Sequence, residues 1–178
     1  MWKIFLHSDS IMKIIFVILW NNAMFDAIDR RILAVLQTDC ETPVAAIAER
    51  VGLSLSPCWR RIKRMEELGL IARRVALVDR RKANLALTVF VSVRAPRHSA
   101  EWTESFAKAI ADMPEIVEAY RLAGETDYLL RVVVPSIEVY DQVYQRLTAR
   151  VEFRDLSSSI SMEELKFTTA VPLDYLLP

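Results

Sequence analysis

Residues 51–71 read VGLSLSPCWRRIKRMEELGLI, a short helix with its limits written at both ends. Gly52 is the residue type that ends a preceding helix, because it enters the left-handed region without the penalty a side chain brings. Ser54 reads as the N-cap of a new helix, Pro57 lies in its first turn where a missing amide is tolerated, and Gly69 closes it. At about 100° per residue, Cys58, Ile62, Met65 and Leu68 fall on one side, and Ser56, Arg60, Lys63 and Glu67 on the other. One face suits a core and the opposite face carries cations.

Upstream, Asp26 is a good N-cap, and Ile28, Ile32, Leu33 and Leu36 recur at helical spacing up to about Thr38. Thr42 and Pro43 give a cap and a preset first turn to a second helix, marked by Val44, Ile47 and Val51 and ended by Gly52. Two short helices joined through a glycine turn, the second presenting cations, match the helix-turn-helix that places a recognition helix in the DNA major groove. The candidate DNA-binding set is Ser54, Ser56, Trp59, Arg60, Arg61, Lys63, Arg64, Arg73 and Arg74. Arg60 and Lys63 point away from the core to meet bases or phosphates, and Arg64 sits on the flank. Arg61 falls near the core side, where its stem covers apolar surface and its guanidinium can pair with an acid such as Asp29. Ser54 and Ser56 offer hydroxyls and free amides to phosphate at the helix N-terminus. Trp59 either meets DNA or covers the domain edge, and Arg73 and Arg74 suit a wing reaching the backbone. A solvated cationic face in an ordinary helical bundle gives the same outline and stays open here.

The formal net charge of zero argues against nucleic acid only if the charge is evenly spread, and it is not. Residues 25–80 hold 10 Lys+Arg against 8 Asp+Glu, and residues 81–178 hold 11 against 14. With 53% hydrophobic residues and 3 glycines in 178, the chain is expected to bury a real core in one domain or two small ones. Cys40 and Cys58 form neither a CxxC pair nor a disulfide framework, which suits the cytoplasm. His7 and His98 are too few for a histidine-rich metal site or an acid/base relay, so no catalytic residue, metal or cofactor is assigned. Ile11–Trp20 is an apolar run about half the roughly 20 residues a membrane span needs. Residues 1–24 therefore read as an extension, either dispensable or docking as an apolar helix or strand, and no membrane partner is expected.

Beyond a linker at 79–86 the period changes. Residues 87–93, LTVFVSV, alternate as a half-buried strand, and Ser99 caps a helix over 101–113 carrying Trp102, Phe106 and Ile110. Strands follow at 116–123 and 128–134 around a Gly124-Glu125-Thr126-Asp127 hairpin loop. Ser136 caps a helix to about Arg150 with Val139, Val143 and Leu147 on one face, and residues 157–166 supply a last strand. The order βαββαβ predicts an α+β chain: a winged helix-turn-helix over 25–78, then a ferredoxin-like domain over 87–178. Such a sheet has helices on one face, and Phe90, Tyr120, Leu122, Leu129 and Val133 are candidates either for packing a second subunit or for intrachain core.

With both halves in place, the chain resembles the Lrp/AsnC, or feast/famine, regulators. The signals are Asp26-Ala27-Ile28-Asp29, Val51-Gly52-Leu53-Ser54 with Pro57-Cys58 and Arg61-Ile62, Gly69-Leu70-Ile71, the run from Ala123 to Leu130, and Met162-Glu163-Glu164. The resemblance implies a cytoplasmic, nucleoid-associated transcriptional regulator of double-stranded DNA, dimeric through its sensor domains and assembling into tetramers or octamers. It also implies an amino-acid effector near Leu122, Gly124, Glu125, Thr126 and Asp127, with Ser158 added by family position. Loop amides would take the effector carboxylate and Asp127 or Glu125 its ammonium. A plain hairpin remains the other reading of the loop, and Leu156 stands where some relatives carry a hydroxyl. The other classes are an architectural DNA-binding protein without effector and an enzyme similar to siroheme decarboxylases, for which His98 alone is a poor supply of pocket groups.

Overall fold

The computed structural model describes residues 25–176. They fall into two compact units: a helical one built from residues up to 76 together with those from 167 on, and a sheet one over residues 77–166. The apolar run at 11–20 lies outside the described residues.

The helical unit contains α1 (Ala27–Thr38), α2 (Val44–Val51) and α3 (Leu55–Glu67). Asp26 caps α1 by accepting from the amides of Ile28 (2.8 Å) and Asp29 (2.9 Å), and the Asp29 carboxylate accepts in return from the Asp26 amide (3.1 Å). That reciprocal box satisfies three of the free donors every helix start leaves open. Gly52 takes φ 73°, where its missing side chain lets α2 stop and α3 start within three residues. Ile32, Ile47, Cys58, Ile62 and Met65 are buried from all three helices and close one small core.

Several local expectations change in detail. Thr42 does not cap α2, since its hydroxyl donates to Asp39 Oδ2 (3.0 Å) and Pro43 stands at the cap position. Ser54 occupies the N-cap of α3 by backbone geometry, but its hydroxyl makes no capping bond. Leu68, placed on the buried face, is exposed because α3 ends at Glu67 and Gly69 turns the chain away. The wing takes no strand: residues 72–79 pair with no other segment, and a lone extended stretch has no partner for a ladder.

The sheet unit runs β1 (Leu87–Arg94), α4 (Ala100–Ala111), β2 (Ile116–Arg121), β3 (Tyr128–Val134), α5 (Ile137–Arg150) and β4 (Asp155–Ile160). The four strands are antiparallel in the order β2-β3-β1-β4, so the chain has the expected α+β, βαββαβ fold. Ser99 and Ser136 cap their helices by accepting from Trp102 and Val139. Val89, Val91, Val93, Leu130, Val132 and Val134 alternate onto the helix side and are buried. Against them Phe106 stacks on Trp102 (5.0 Å between centroids), and Tyr128 and Phe153 complete an aromatic group. The Trp102 indole donates to the Glu152 carbonyl (2.7 Å), so its one polar atom is satisfied. The last strand is shorter than expected and ends at Ile160, beyond which the Ser161 amide still donates to the Thr88 carbonyl of β1 (2.9 Å) and residues 162–166 join no strand. Of the residues offered to a second subunit, Phe90, Tyr120 and Leu122 are exposed, Leu129 is half-buried, and Val133 is buried within the chain.

Candidate functional site

The cationic helix sorts its residues into two groups. Asp29, from the first turn of α1, is fully buried, and both its oxygens are taken: Arg61 Nη1 donates to one at 2.9 Å and Arg64 Nη2 to the other at 2.9 Å. Arg61 also lies 2.9 Å from Asp26, and the Arg64 guanidinium sits 5.5 Å from the centre of the Phe25 ring. The pairing of Arg61 with Asp29 is therefore present, and Arg64 joins it. A carboxylate removed from water needs such partners, and the two guanidiniums each supply a charge-assisted hydrogen bond, one to each oxygen. Partial burial pushes the Asp26 carboxyl upward, but the amides of Asp29 and Ile28 and the Arg61 guanidinium outweigh it and hold it below the usual carboxylate range. Hydrogen bonding to Asp29 raises the affinity of Arg61 for its proton, with Asp26 adding to it. Both arginines thus spend their charge on fixing α3 to α1.

The second group stays in water. Ser54, Ser56, Trp59, Arg60 and Lys63 are all exposed, Trp59 at 50%, and Arg60 makes no ion pair among the described residues. Lys63 Nζ donates to Glu66 at 2.8 Å, and that hydrogen bond, with Arg74 behind it, holds the Glu66 carboxyl below its usual range. Arg74 reaches the other Glu66 oxygen (3.0 Å) and the Cys40 carbonyl (3.2 Å), whereas Arg73 is exposed with no such partner among the described residues. The result is a helix anchored on Asp29 that offers hydroxyls, an indole and cations from its N-cap and first three turns. Groups of this kind are suited to phosphate oxygens and base edges.

In the sheet unit the Gly124 loop borders an open depression of about 300 Å³ lined by Arg94, Ala95, His98, Gly124, Glu125, Asp127 and Arg154. Gly124 takes φ 138° with nothing within 4 Å of where a Cβ would stand, so the backbone conformation and not space calls for glycine. Asp127 is committed to the fold: Oδ2 accepts from the Ala95 amide (2.8 Å), its own amide donates to the Val93 carbonyl (3.0 Å), and His98 lies 3.7 Å away. Glu125 is 93% exposed beside Arg94 at 3.1 Å. Leu122 and Thr126 do not line the depression. Ser158 is not there either, because residue alternation on β4 points it to the helix side, where its hydroxyl bonds Tyr140 Oη. Arg94 and Arg154 went unnoticed in the sequence. Arg94 ends β1, and the Arg154 amide binds the Arg94 carbonyl (2.9 Å), a pairing no local pattern announces.

The family model of the AsnC-type helix-turn-helix domain matches residues 25–66, and that of the Lrp/AsnC ligand binding domain matches residues 88–171. The chain belongs to the Lrp/AsnC family. It is 44% identical over 152 residues to the DNA-binding transcriptional activator DecR of Escherichia coli, covering 85% of this chain and all of that one. A crystal structure of an AsnC family transcriptional regulator from Agrobacterium tumefaciens superposes with a TM-score of 0.84 at 54% identity, covering 86% of this chain and 100% of that one. A transcriptional regulator from Neisseria meningitidis in complex with L-Met gives 0.82 at 35% identity over the same shares. Both halves of this Lrp/AsnC chain, the charged helix and the glycine loop, thus fall inside the matched regions.

Proposed function

We propose that this Lrp/AsnC chain is a sequence-specific DNA-binding transcriptional regulator whose DNA affinity or assembly responds to a small molecule, an amino acid being the first candidate. The observation that carries the reading is the division of labour on α3, where Arg61 and Arg64 anchor the helix on Asp29 and leave Ser54, Ser56, Trp59, Arg60 and Lys63 outward. Two arginines are thus spent on holding the helix, while Arg60 faces water and Lys63 meets only Glu66 one turn on. Residues 25–78 are the DNA-binding domain, completed by residues 167–176, which pack with the helical unit and not with the sheet domain to which the sequence assigned them, with 79–86 a linker, 87–166 the effector and assembly domain and residues 1–24 dispensable. Arg61, Arg64 and Arg74 act indirectly, and Arg73 reaches the phosphate backbone.

The partners are double-stranded DNA in the cytoplasm and further copies of the chain, as dimers building tetramers or octamers. The exposed Phe90, Tyr120 and Leu122 support self-association, because exposed apolar side chains on one sheet face favour a partner. The relatives are regulators and not enzymes, and no enzymatic step is assigned. The depression by Gly124 fits an effector carboxylate through Arg154, with Glu125 nearest for an ammonium. Asp127 supports that region through the Ala95 amide, and it, Leu122, Thr126 and Ser158 are not assigned direct contacts. Selection of bound sequences from a random duplex pool tests the reading: a defined motif is expected, and enrichment of none by the intact chain would overturn it.

A further inference from the structure

The two tryptophans among the described residues are placed in opposite ways. Trp102 is 7% exposed, stacked on Phe106 and bonded through its indole N–H to the Glu152 carbonyl. Trp59 is 50% exposed, and among the described residues its indole has neither a hydrogen bond nor a ring partner. Leu55, one turn earlier on α3, is 55% exposed. Neither belongs to the apolar cluster of the helical unit or packs against it, although Leu53, just ahead of the helix, does. Residues four apart are neighbours on a helix surface, and each side chain leans toward the helix N-terminus, so Trp59 is directed over the turn that carries Leu55. The pair forms one apolar patch left in water.

That patch is continuous with the cationic face. At about 100° per residue, the row Leu55, Trp59, Lys63 runs beside the row Ser56, Arg60, with the buried Cys58, Ile62 and Met65 on the other side of the helix. A helix entering the major groove brings its N-terminal turns to base edges, while phosphates are met by cations and hydroxyls. Leu55 and Trp59 stand in the first two turns of α3. A leucine gives a phosphate oxygen nothing to bind. Among the groups that base pairs present in the major groove, the C5 methyl of thymine is the apolar one.

We propose that Leu55 and Trp59 form a thymine-reading patch on α3, which takes a C5 methyl group in the major groove while Arg60 and Lys63 hold the adjoining backbone or bases. The inference rests on the DNA-binding reading above and adds to it a base that the helix selects. Cations on phosphate give affinity that is largely blind to sequence, because every base pair carries the same phosphates. An exposed indole and leucine leave water only where an apolar group meets them, so their contribution separates a base pair with the methyl from one without it. Leu55 thereby joins the candidate DNA-binding residues.

Deoxyuridine removes the methyl group of thymine and keeps its O4 acceptor and its pairing, so it isolates the proposed contact. On a duplex carrying the motif selected by the full chain, each thymine of either strand is replaced singly by deoxyuridine and the affinity measured. The unaltered chain should lose about fourfold at one or two positions, the worth of burying one methyl group. Trp59→Ala and Leu55→Ala should each bind the thymine duplex more weakly and lose that difference, whereas Arg60→Ala should bind more weakly and keep it. All three variants should melt within about 3 °C of the unaltered chain, since the altered side chains are exposed. Equal affinity for thymine and deoxyuridine at every position, a selected motif without an A·T pair, or a difference that survives in either Trp59→Ala or Leu55→Ala would overturn the proposal. So would a larger fall in the melting temperature of Trp59→Ala, because another part of the chain would then cover the patch. Binding of no duplex by the unaltered chain would sink the DNA-binding reading and this proposal with it, whereas indifference to the methyl sinks the proposal alone.

Discussion

The two units reach order by opposite means. The sheet unit stacks Trp102, Phe106, Tyr128 and Phe153 over a valine-rich sheet and buries almost nothing charged. The helical unit buries a carboxylate at its centre and takes its helix geometry from what that carboxylate must bind. Apolar packing gives stability with little direction, while a buried ion with three fixed donors sets an angle and a register between helices. The unit that must present side chains to a partner is the one organised by directional contacts.

Deleting each unit's centre gives the largest effects. Phe106→Ala leaves a cavity in the aromatic group and should cost about 3–5 kcal/mol by denaturant titration. Asp29→Ala should cost about 3 kcal/mol, and should also weaken DNA binding in proportion to the lost setting of α3. If Asp29→Ala instead lowers stability without altering DNA affinity, the directional role falls and the contrast between units reduces to chemistry alone.

A medium effect separates anchoring from contact. Arg60→Ala and Lys63→Ala should leave stability within about 0.5 kcal/mol, while binding weakens and, for a phosphate contact, the salt slope becomes shallower by about 0.9. Arg61→Ala should do the reverse, lowering the melting temperature first. Unaltered affinity in both of the first two variants removes the outward face of α3 from the interface.

The smallest effect is on acid sensitivity. Asp26 has a folded pKa below its ordinary value, so its contribution is complete above about pH 4, the range of an unperturbed aspartate, and is lost as pH falls through the lower folded value. Hydrogen exchange of α1 between pH 5 and pH 2 should show protection decaying there, and Asp26→Asn should flatten the decay. In the sheet unit, partial burial pushes the Glu115 carboxyl upward, but its backbone hydrogen bond and Arg146 hold it below its usual range, so protection around β2 should decay over the same window.

Most of this organisation was legible where the code is local. Asp26, Gly52 and Gly69 mark helix ends by their own conformational preferences, and alternation in LTVFVSV fixes both a strand and its buried face. Arg61 could be matched to Asp29 because helical geometry aims it at the core side. What escaped depends on partners distant in sequence: Thr42 was drawn to Asp39, Ser158 to Tyr140, and Arg154 to the end of β1. The wing misled because two arginines after a helix describe charge and say nothing of a pairing strand. The clasp between Gln37 and Val171 has no signature at all, since any residue's backbone could fill the second place.

Asp29 also bears on the order in which the chain acquires its shape. Its bond to the Asp26 amide closes within one turn, and its bonds to Arg61 and Arg64 close loops of 32 and 35 residues. The sheet must instead bring β1 against β4, about 70 residues on, and the Gln37 clasp must wait for a segment 134 residues away. Closure grows slower with separation, so the three helices can assemble while the rest of the chain is still being synthesised. The nascent protein would then carry its charged helix, already set against Asp29, before the C-terminal segment that bonds Gln37 has left the ribosome.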